Sequence, residues 1–185
     1  MNIAKSDYRN ITVSGKVAVG TSTLAISLQQ TLGWKYVNTG QLQREWDRQH
    51  GRNENQVGAL NRPDEWEKNM EQTAIDKLTK EKNLIYEAWL AGFVAKDIPD
   101  VLKVLLVCSD DGVRVDRVVN RDKISVEQAR HFIKQREEEN IAKWKKLYGD
   151  SDFWDPKYYN VVIDTYKSGP TETLSLVLTK LHTKK

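Results

Sequence analysis

The chain has 185 residues, enough for one ordinary domain with a proper core and too few for two comfortable ones. The formal net charge of +3 suits anionic small molecules, but it is too weak by itself to indicate nucleic-acid binding. Cys108 is the only cysteine, so we expect no internal disulfide, a buried inert thiol and a reducing compartment. Without an apolar signal segment or a run of ~18 apolar residues, the sequence predicts a cytoplasmic protein that does not enter a membrane.

Strand-like and helix-like segments alternate along the chain. Strands are predicted at residues 11–14, 34–37, 83–88, 101–108 and 160–164. Helices are predicted at 21–32, in a polar region of 41–81 that is broken near 51–63, at 109–120, at 125–148 and from Pro170 onward. Ser109 is expected to cap one of these helices, and Ser125 with Gln128 forms a capping-box signature for the next. Strands separated by helices predict an α/β fold, a parallel sheet with helices on both faces in one domain of residues 1–185.

The segment ITVSGKVAVGTSTL at residues 11–24 combines an apolar strand, a glycine-bounded loop and the start of a helix. This is the layout of a phosphate-binding P-loop, in which backbone N–H groups and the positive end of the helix dipole face an anion. The pattern G-x-x-x-x-G-K-[ST] expects a lysine at position 21, where this chain has Thr21. An anion can still bind through the backbone, and Ser22 stands where a hydroxyl would ligate Mg²⁺. An ordinary glycine-containing turn is the alternative.

A second candidate anion site follows the second predicted strand. Thr39 and Gly40 form a tight turn that opens a helix, and Arg44 lies about one helical turn further on. A guanidinium in that place can hold a phosphate through two parallel hydrogen bonds. A surface arginine is the alternative for Arg44 considered alone.

Arginines cluster after the fourth predicted strand. Arg117 and Arg121 are four residues apart and so share a helical face, with Arg114 on its edge and Arg136 on the next helix. Like charges this close repel one another unless acids or a bound anion neutralise them. The arrangement predicts guanidinium groups spread over a transferring phosphoryl group, with a solvated charged face as the alternative.

Two predicted helices differ in their apolar periodicity. Trp66, Met70, Ala74 and Leu78 recur every four residues, which predicts a helix face in the core. By contrast, residues 134–140 read KQREEEN, about two turns without an apolar side chain. Such a stretch faces either solvent or a polar ligand.

Together these segments resemble the nucleoside monophosphate kinases, which are P-loop enzymes. TGQLQR at 39–44 is similar to that family's T-G-x-x-x-R segment, and DRVVNR at 116–121 is similar to its arginine-bearing helix leading into a lid. The resemblance is strongest to the short cytidylate kinase-like proteins of archaea and some bacteria. Their strand–E-x-x-L-A-G segment looks like IYEAWLAG at 85–92, and their lid helix looks like REEENIAKW at 136–144. The likeness runs from about residue 10 to residue 181.

The resemblance implies a three-layer P-loop NTPase fold with a five-stranded parallel sheet, an acceptor-binding helical insertion at about 40–80 and a short helical lid at about 121–145. It also implies roles for individual residues. The phosphates of ATP would lie against Gly15, Lys16, Val17, Ala18, Val19, Gly20, Thr21, Ser22 and Thr23. Mg²⁺ would be held at Ser22 and Glu87. The acceptor nucleotide would be bound by Thr39, Gly40, Arg44 and Glu87, to which we add Trp89 as a candidate of our own. The charge on the moving phosphoryl group would be stabilised by Arg117, Arg121 and Arg136, to which we add Lys16 as a candidate of our own.

Two positions depart from the family pattern. Thr21 replaces the loop lysine, and either Lys16 or Arg117 is expected to replace part of the lost charge. Trp89 stands near the place of a family arginine, where it either stacks on a nucleobase or packs in the protein.

The expected activity is ATP-dependent phosphoryl transfer to a nucleoside monophosphate, CMP or dCMP, with Mg²⁺ as cofactor. Because the loop lysine is missing, the alternative is a nucleotide-binding pseudokinase with little or no transfer. Nucleic-acid binding by the basic lid helices is a third class, which the modest net charge and the interleaved glutamates disfavour. Base selectivity is expected in the polar region 48–62, and the sequence indicates no oligomeric state.

Overall fold

The computed structural model describes residues 8–183 of the chain. Five strands form one sheet: β1 (Asn10–Ser14), β2 (Lys35–Asn38), β3 (Leu84–Glu87), β4 (Val101–Val107) and β5 (Val161–Asp164). They lie in the order β2-β3-β1-β4-β5, and every neighbouring pair is parallel. The predicted parallel sheet is confirmed, and each strand lies within one residue of its predicted bounds.

Seven helices connect the strands within the described residues. They are α1 (Thr21–Leu32), α2 (Thr39–Gln49), α3 (Asp64–Lys80), α4 (Ala91–Val94), α5 (Asp111–Asp122), α6 (Val126–Tyr148) and α7 (Pro170–Leu181). A 3-10 turn at Pro156–Tyr158 precedes β5. The sequence does not predict α4 or the 3-10 turn, because a single turn is too short to show a helical period. None of the described helices combines the length and the apolar character that crossing a membrane requires.

Helices pack on both faces of the sheet, as predicted. On one face α1 and α7 contact each other and the strands, over a core that reaches Cys108, which is half-buried instead of enclosed. On the other face α3 and α4 pack against the strands. The predicted core stripe of α3 is confirmed for Ala74 and Leu78, whereas Trp66 and Met70 are only half-buried.

One helix cap is as predicted and another is not. The capping box of α6 is present, with Gln128 N–H donating to Ser125 Oγ at 3.2 Å and Ser125 N–H donating to Gln128 Oε1 at 3.0 Å. The prediction that Ser109 caps α5 is wrong, since Asp110 accepts the capping hydrogen bond at 3.0 Å. Ser109 instead donates its N–H and Oγ–H to the Asp164 carboxylate at 3.0 and 2.6 Å. This contact ties the end of β4 to the end of β5.

The polar stretch at 134–140 binds a loop. Glu139 Oε2 accepts the Gly58 N–H at 2.7 Å, and Asn140 Oδ1 accepts the Ala59 N–H at 2.7 Å. A Cβ atom at Gly58 would lie 2.7 Å from Glu139 Cβ and 2.8 Å from Arg136 O, so the loop approaches α6 as closely as glycine allows. Part of this stretch therefore faces backbone amides, neither solvent nor a ligand.

A buried ion network joins α2, α3 and the loop between them. The fully buried Asp47 carboxylate accepts hydrogen bonds from Arg62 Nη2 at 2.7 Å and from Arg62 Nε at 3.3 Å. Arg62 also donates to Glu67 Oε1 at 3.0 Å, and Arg52 Nη1 lies 3.2 Å from Asp47 Oδ1. These charges are paired inside the protein, where an ion left without a partner is strongly destabilising.

Replacing Asp47 by alanine removes one of the two carboxylates that Arg62 contacts. We expect the free energy of unfolding to fall by about 3 kcal/mol, because the guanidinium stays buried with its pairing incomplete. Urea unfolding measures the change. The matched control is Glu45→Ala on the same helix, where an exposed pair with Arg48 is lost and the expected cost is below about 1 kcal/mol. Equal losses in the two variants would contradict the network.

Candidate active site

The predicted site residues meet at the carboxyl ends of three adjacent strands. Gly15 follows β1, Thr39 follows β2 and Glu87 ends β3, which lies between the other two strands. In open parallel sheets, ligands bind in the crevice outside the carboxyl ends of the strands. The topology therefore places the glycine loop, the start of α2 and the Glu87 carboxylate around one crevice.

The loop between β1 and α1 has the backbone of an anion cradle. Gly15 has no room for a side chain, since a Cβ atom would lie 2.4 Å from Val19 Cγ2 and 2.8 Å from Leu106 O. Ala18 and Gly20 are left-handed, with φ of 60° and 97°. Alternating hands turn successive N–H groups toward a common centre. Within the described residues, none of the N–H groups of residues 16–20 donates to another protein group.

The carbonyl oxygens of the same loop are held from the outside. The carbonyl oxygens of three successive residues each accept a hydrogen bond from a side chain outside the loop. The pairs are Val17 O with Arg114 Nε at 3.0 Å, Ala18 O with Arg117 Nη1 at 3.0 Å, and Val19 O with Thr165 Oγ1 at 2.9 Å. With its carbonyls fixed outward, the loop keeps its N–H groups facing the crevice.

The Glu87 carboxylate is buried and is surrounded by neutral donors. Thr21 Oγ1 and Ser22 Oγ both donate to Glu87 Oε1 at 2.7 Å. Asn38 Nδ2 donates to Oε2 at 2.9 Å, and the Tyr36 hydroxyl donates to the same oxygen. Burial and the neighbouring carboxylate raise the pKa of Tyr36. Thr21 thus fills the lysine position with a hydroxyl, which supplies a hydrogen bond but no charge.

Asn38 links this carboxylate to the second predicted anion site. Its Oδ1 accepts the Gln41 N–H at 2.9 Å and so caps α2, while its Nδ2 donates to Glu87. Gly40 lies in the first turn of α2, where a Cβ atom would be 3.5 Å from an Arg44 nitrogen. The predicted Thr39–Arg44 segment therefore begins at the crevice, with the positive end of α2 toward it.

A cavity of about 70 Å³ lies between the loop and α2 and is strongly cationic. Its lining includes one carboxylate, Glu87, and four cations: Lys16, Arg44, Arg121 and Arg136. Arg121 is half-exposed and also pairs with the neighbouring Asp122 at 2.7 and 2.8 Å. The excess of positive charge around so small a space favours an anion with several charges.

Arg136 is the most deeply placed of these cations. It is 6% exposed, and no carboxylate of the described chain lies within ion-pair distance of it. Burial, together with Arg44 and Arg121, lowers the pKa of Arg136 to about 10. Burial and Arg121 likewise lower the pKa of Arg44. An arginine buried among arginines is destabilising for the empty protein, and a bound anion relieves the repulsion.

A larger cavity of about 360 Å³ adjoins the other side of the loop. It is bounded by the start of α1, by α5 through Arg117 and Arg121, and by the segment after β5. Arg117 is held there by Thr165, whose O and Oγ1 each lie 3.0 Å from a guanidinium nitrogen. Thr165 and Ser168 line this cavity and are absent from the sequence prediction. Their position directly after a parallel strand is the signal that could have found them.

A recess opens between α2, α3 and Trp89. Thr39 and Gln43 line it from α2, and Met70 and Glu71 line it from α3. Thr39 Oγ1 is buried there without a hydrogen-bond partner among the described residues. Burial raises the pKa of Glu71 to about 7.

Trp89 serves packing and also borders two cavities. It lies edge-on to Trp144 at 5.6 Å between ring centroids, and it lines both the recess and the cationic cavity. The polar region 48–62, expected to select the base, lines none of the three cavities. Its Gln56 instead donates to Gln135 of α6 at 2.7 Å.

The comparisons with known proteins agree with this geometry. The model of the "Cytidylate kinase-like family" matches residues 10–167. A cytidylate kinase of Pyrococcus abyssi is 34% identical over 169 residues, which cover 90% of this chain and 90% of that protein. A cytidylate kinase of Thermococcus sibiricus is 33% identical, covering 90% of this chain and 84% of that protein. A solved gluconokinase from Sinorhizobium meliloti superposes with a TM-score of 0.61 at 13% identity, covering 96% and 95% of the two chains.

The gluconokinase shares the fold of this chain. The sequence relatives are kinases, and nothing in these matches supports the alternative of an inactive nucleotide-binding protein. Since the family match spans most of its length, the chain belongs to the cytidylate kinase-like family and is a nucleoside monophosphate kinase, a phosphotransferase.

Proposed function

We propose that this protein transfers the γ-phosphoryl group of ATP to CMP or dCMP, with Mg²⁺ as its metal ion. The cationic cavity supports the proposal most directly, because Arg44 and Arg136 meet there without a carboxylate partner in the described chain. The activity named for the relatives, cytidylate kinase, supports a cytidine acceptor.

The donor site consists of the glycine loop and the cavity beside it. The phosphates of ATP lie against the N–H groups of residues 16–20, at the positive end of α1. The nucleoside lies in the 360 Å³ cavity, against Arg117 and the segment after β5. Because Arg117 is bonded to the loop backbone, it holds the cradle in shape as well as lining the site.

Ser22 and Glu87 are the residues that would hold Mg²⁺. A hydroxyl and a carboxylate are the hard oxygen ligands that this ion takes, and the two oxygens lie 2.7 Å apart. When bound, Mg²⁺ neutralises charge on the β- and γ-phosphates. No group of three or more His, Cys, Asp or Glu suited to a metal occurs in residues 8–183. This fits an ion that is held largely by substrate phosphates and water.

The acceptor site lies at the start of α2. Its phosphate binds Arg44 and the first turn of the helix at Thr39 and Gly40, next to the cationic cavity. Its base enters the recess beside Trp89, where Gln43 and other polar groups offer hydrogen bonds. The recess is open to solvent on one side, so the base can enter it beside Trp89.

Phosphoryl transfer depends mainly on the positioning of the two substrates and on the stabilisation of negative charge, and the protein forms no covalent bond with either substrate. Arg121, Arg136 and Lys16 surround the space between donor and acceptor and stabilise the charge that spreads over the moving phosphoryl group. The segment at about 121–145 acts as the lid, because α6 carries Arg136 into the cavity. Closing it excludes water, which prevents hydrolysis of ATP.

A coupled ADP-release assay with CMP, dCMP, UMP and AMP tests the proposal. We expect the highest kcat/KM with CMP or dCMP and no turnover when Mg²⁺ is removed with EDTA. A clear preference for UMP or AMP would overturn the choice of acceptor. No turnover above the blank with any acceptor would overturn the proposal as a whole.

Arg136→Met separates function from folding. The charge that faces the phosphoryl group is lost, so kcat is expected to fall about 10²–10³-fold. Thermal stability should be unchanged or higher, because a buried charge without a partner is removed. Arg130→Met, an exposed position on the same helix, is the control and should change neither quantity. A destabilised Arg136→Met protein that keeps its kcat would contradict the assigned role.

Glu71→Gln tests the burial of this carboxyl in the recess through the pH dependence of stability. The pKa of Glu71 is raised to about 7, so the folded protein keeps a proton that the unfolded chain has lost above about pH 4.5. The free energy of unfolding therefore falls as the pH rises from about 4.5 to about 7, and it is constant above about pH 7. After discounting for partial exposure, urea unfolding should show a loss of about 2 kcal/mol that the variant lacks. The exposed Glu65→Gln on the same helix is the control and should retain the loss.

A further inference from the structure

The glycine loop carries one cationic side chain, Lys16. The lysine position of the loop pattern is occupied by Thr21, whose hydroxyl is bonded to Glu87. Arg117, the other candidate for the missing charge, is bonded to the Ala18 carbonyl and to Thr165. Lys16 has no carboxylate within ion-pair distance among the described residues, and it lines the cationic cavity.

The partner of Lys16 is an aromatic ring. Its Nζ lies 4.8 Å from the ring centroid of Trp154, in the segment between α6 and β5. An aromatic face attracts an ammonium group without neutralising it, whereas a carboxylate would cancel its charge. The contact is also weaker than that between an ammonium group and a phosphate, so a bound phosphate can take the lysine from the ring.

The indole of Trp154 is fixed by its surroundings. Its Nε1–H donates to the Trp89 carbonyl at 3.2 Å, and its backbone N–H donates to Asp152 Oδ1 at 3.1 Å. Its ring packs against Trp144 and Phe153 at 6.2 and 6.1 Å between centroids. These contacts leave one face to Lys16 and hold that face next to the glycine loop.

We propose that Lys16 supplies the charge that the loop lacks at position 21, and that Trp154 is the positioning residue that keeps Lys16 at the phosphate site. This rests on the proposed kinase function. In the empty protein the ammonium group lies on the indole, and polyphosphate binding moves it to the phosphate oxygens. Trp154 acts through Lys16 and contacts no substrate.

A double-mutant cycle in the full chain tests the coupling between the two residues. With saturating acceptor, Lys16→Met is expected to lower kcat about 100-fold, and Trp154→Leu about 10-fold. The double variant should be no slower than Lys16→Met, because Trp154 has no effect without the lysine. Trp154→Phe keeps a ring for the lysine and should recover part of the loss. Multiplied losses in the double variant, or unchanged transfer in Lys16→Met, would overturn the proposal.

Fluorescence gives a readout that does not depend on turnover. ATP added in the presence of EDTA should change the tryptophan emission of the native chain, because the ammonium group leaves the Trp154 ring. This change should be absent in Lys16→Met and in Trp154→Phe. A native chain that transfers no phosphoryl group but shows this signal would defeat the kinase proposal and leave the contact standing. An identical change in all three proteins would show that it does not come from the contact between Lys16 and Trp154. Thermal unfolding checks that each variant is folded.

Discussion

The hydrogen bonds that hold three successive loop carbonyls outward are the constraint on which the rest of the site depends. A peptide unit carries its N–H and its C=O on opposite sides, so fixing one fixes the other. Arg114, Arg117 and Thr165 bond these carbonyls from α5 and from the segment after β5. The N–H groups of the loop are thereby turned toward the crevice by residues nearly a hundred positions or more away. A left-handed alanine within it is stable only because its surroundings impose that conformation.

The charged groups that line the crevice are a second feature of the site. The hydrogen-bond donors around Glu87 are neutral groups instead of cations. The charges that act most strongly on Arg136 are those of other arginines instead of carboxylates. The burial of Arg136 among other arginines is unfavourable in the empty protein, whereas the Glu87 carboxylate is stabilised by its hydrogen-bond donors. By contrast, the buried charges of Asp47, Arg62 and Glu67 are paired with one another and stabilise the fold. Arg136 thus differs from the other buried arginines, Arg62 and Arg114, which are paired with carboxylates.

Much of this could be predicted from the sequence, for identifiable reasons. Buried parallel strands read as apolar runs, and glycines at both ends of a loop report a backbone that other residues cannot adopt. Ser109 was a wrong prediction because two capping side chains stand side by side, and the contact with Asp164 that decides between them is distant in sequence. Thr165 and Glu71 could not be found by periodicity. Thr165 reaches the loop because β5 lies beside β4 in the sheet. Glu71 lies on a face of α3 that borders the recess as well as the core.

The attachment of the Gly58–Ala59 loop to α6 has a mechanical consequence. Glu139 and Asn140 hold that loop by its backbone amides, and Arg136 on the same helix reaches into the cationic cavity. The segment joining α2 to α3 is therefore attached directly to the helix that carries Arg136. An outward displacement of α6 would carry Arg136 away from the cationic cavity and pull the Gly58–Ala59 loop along with it.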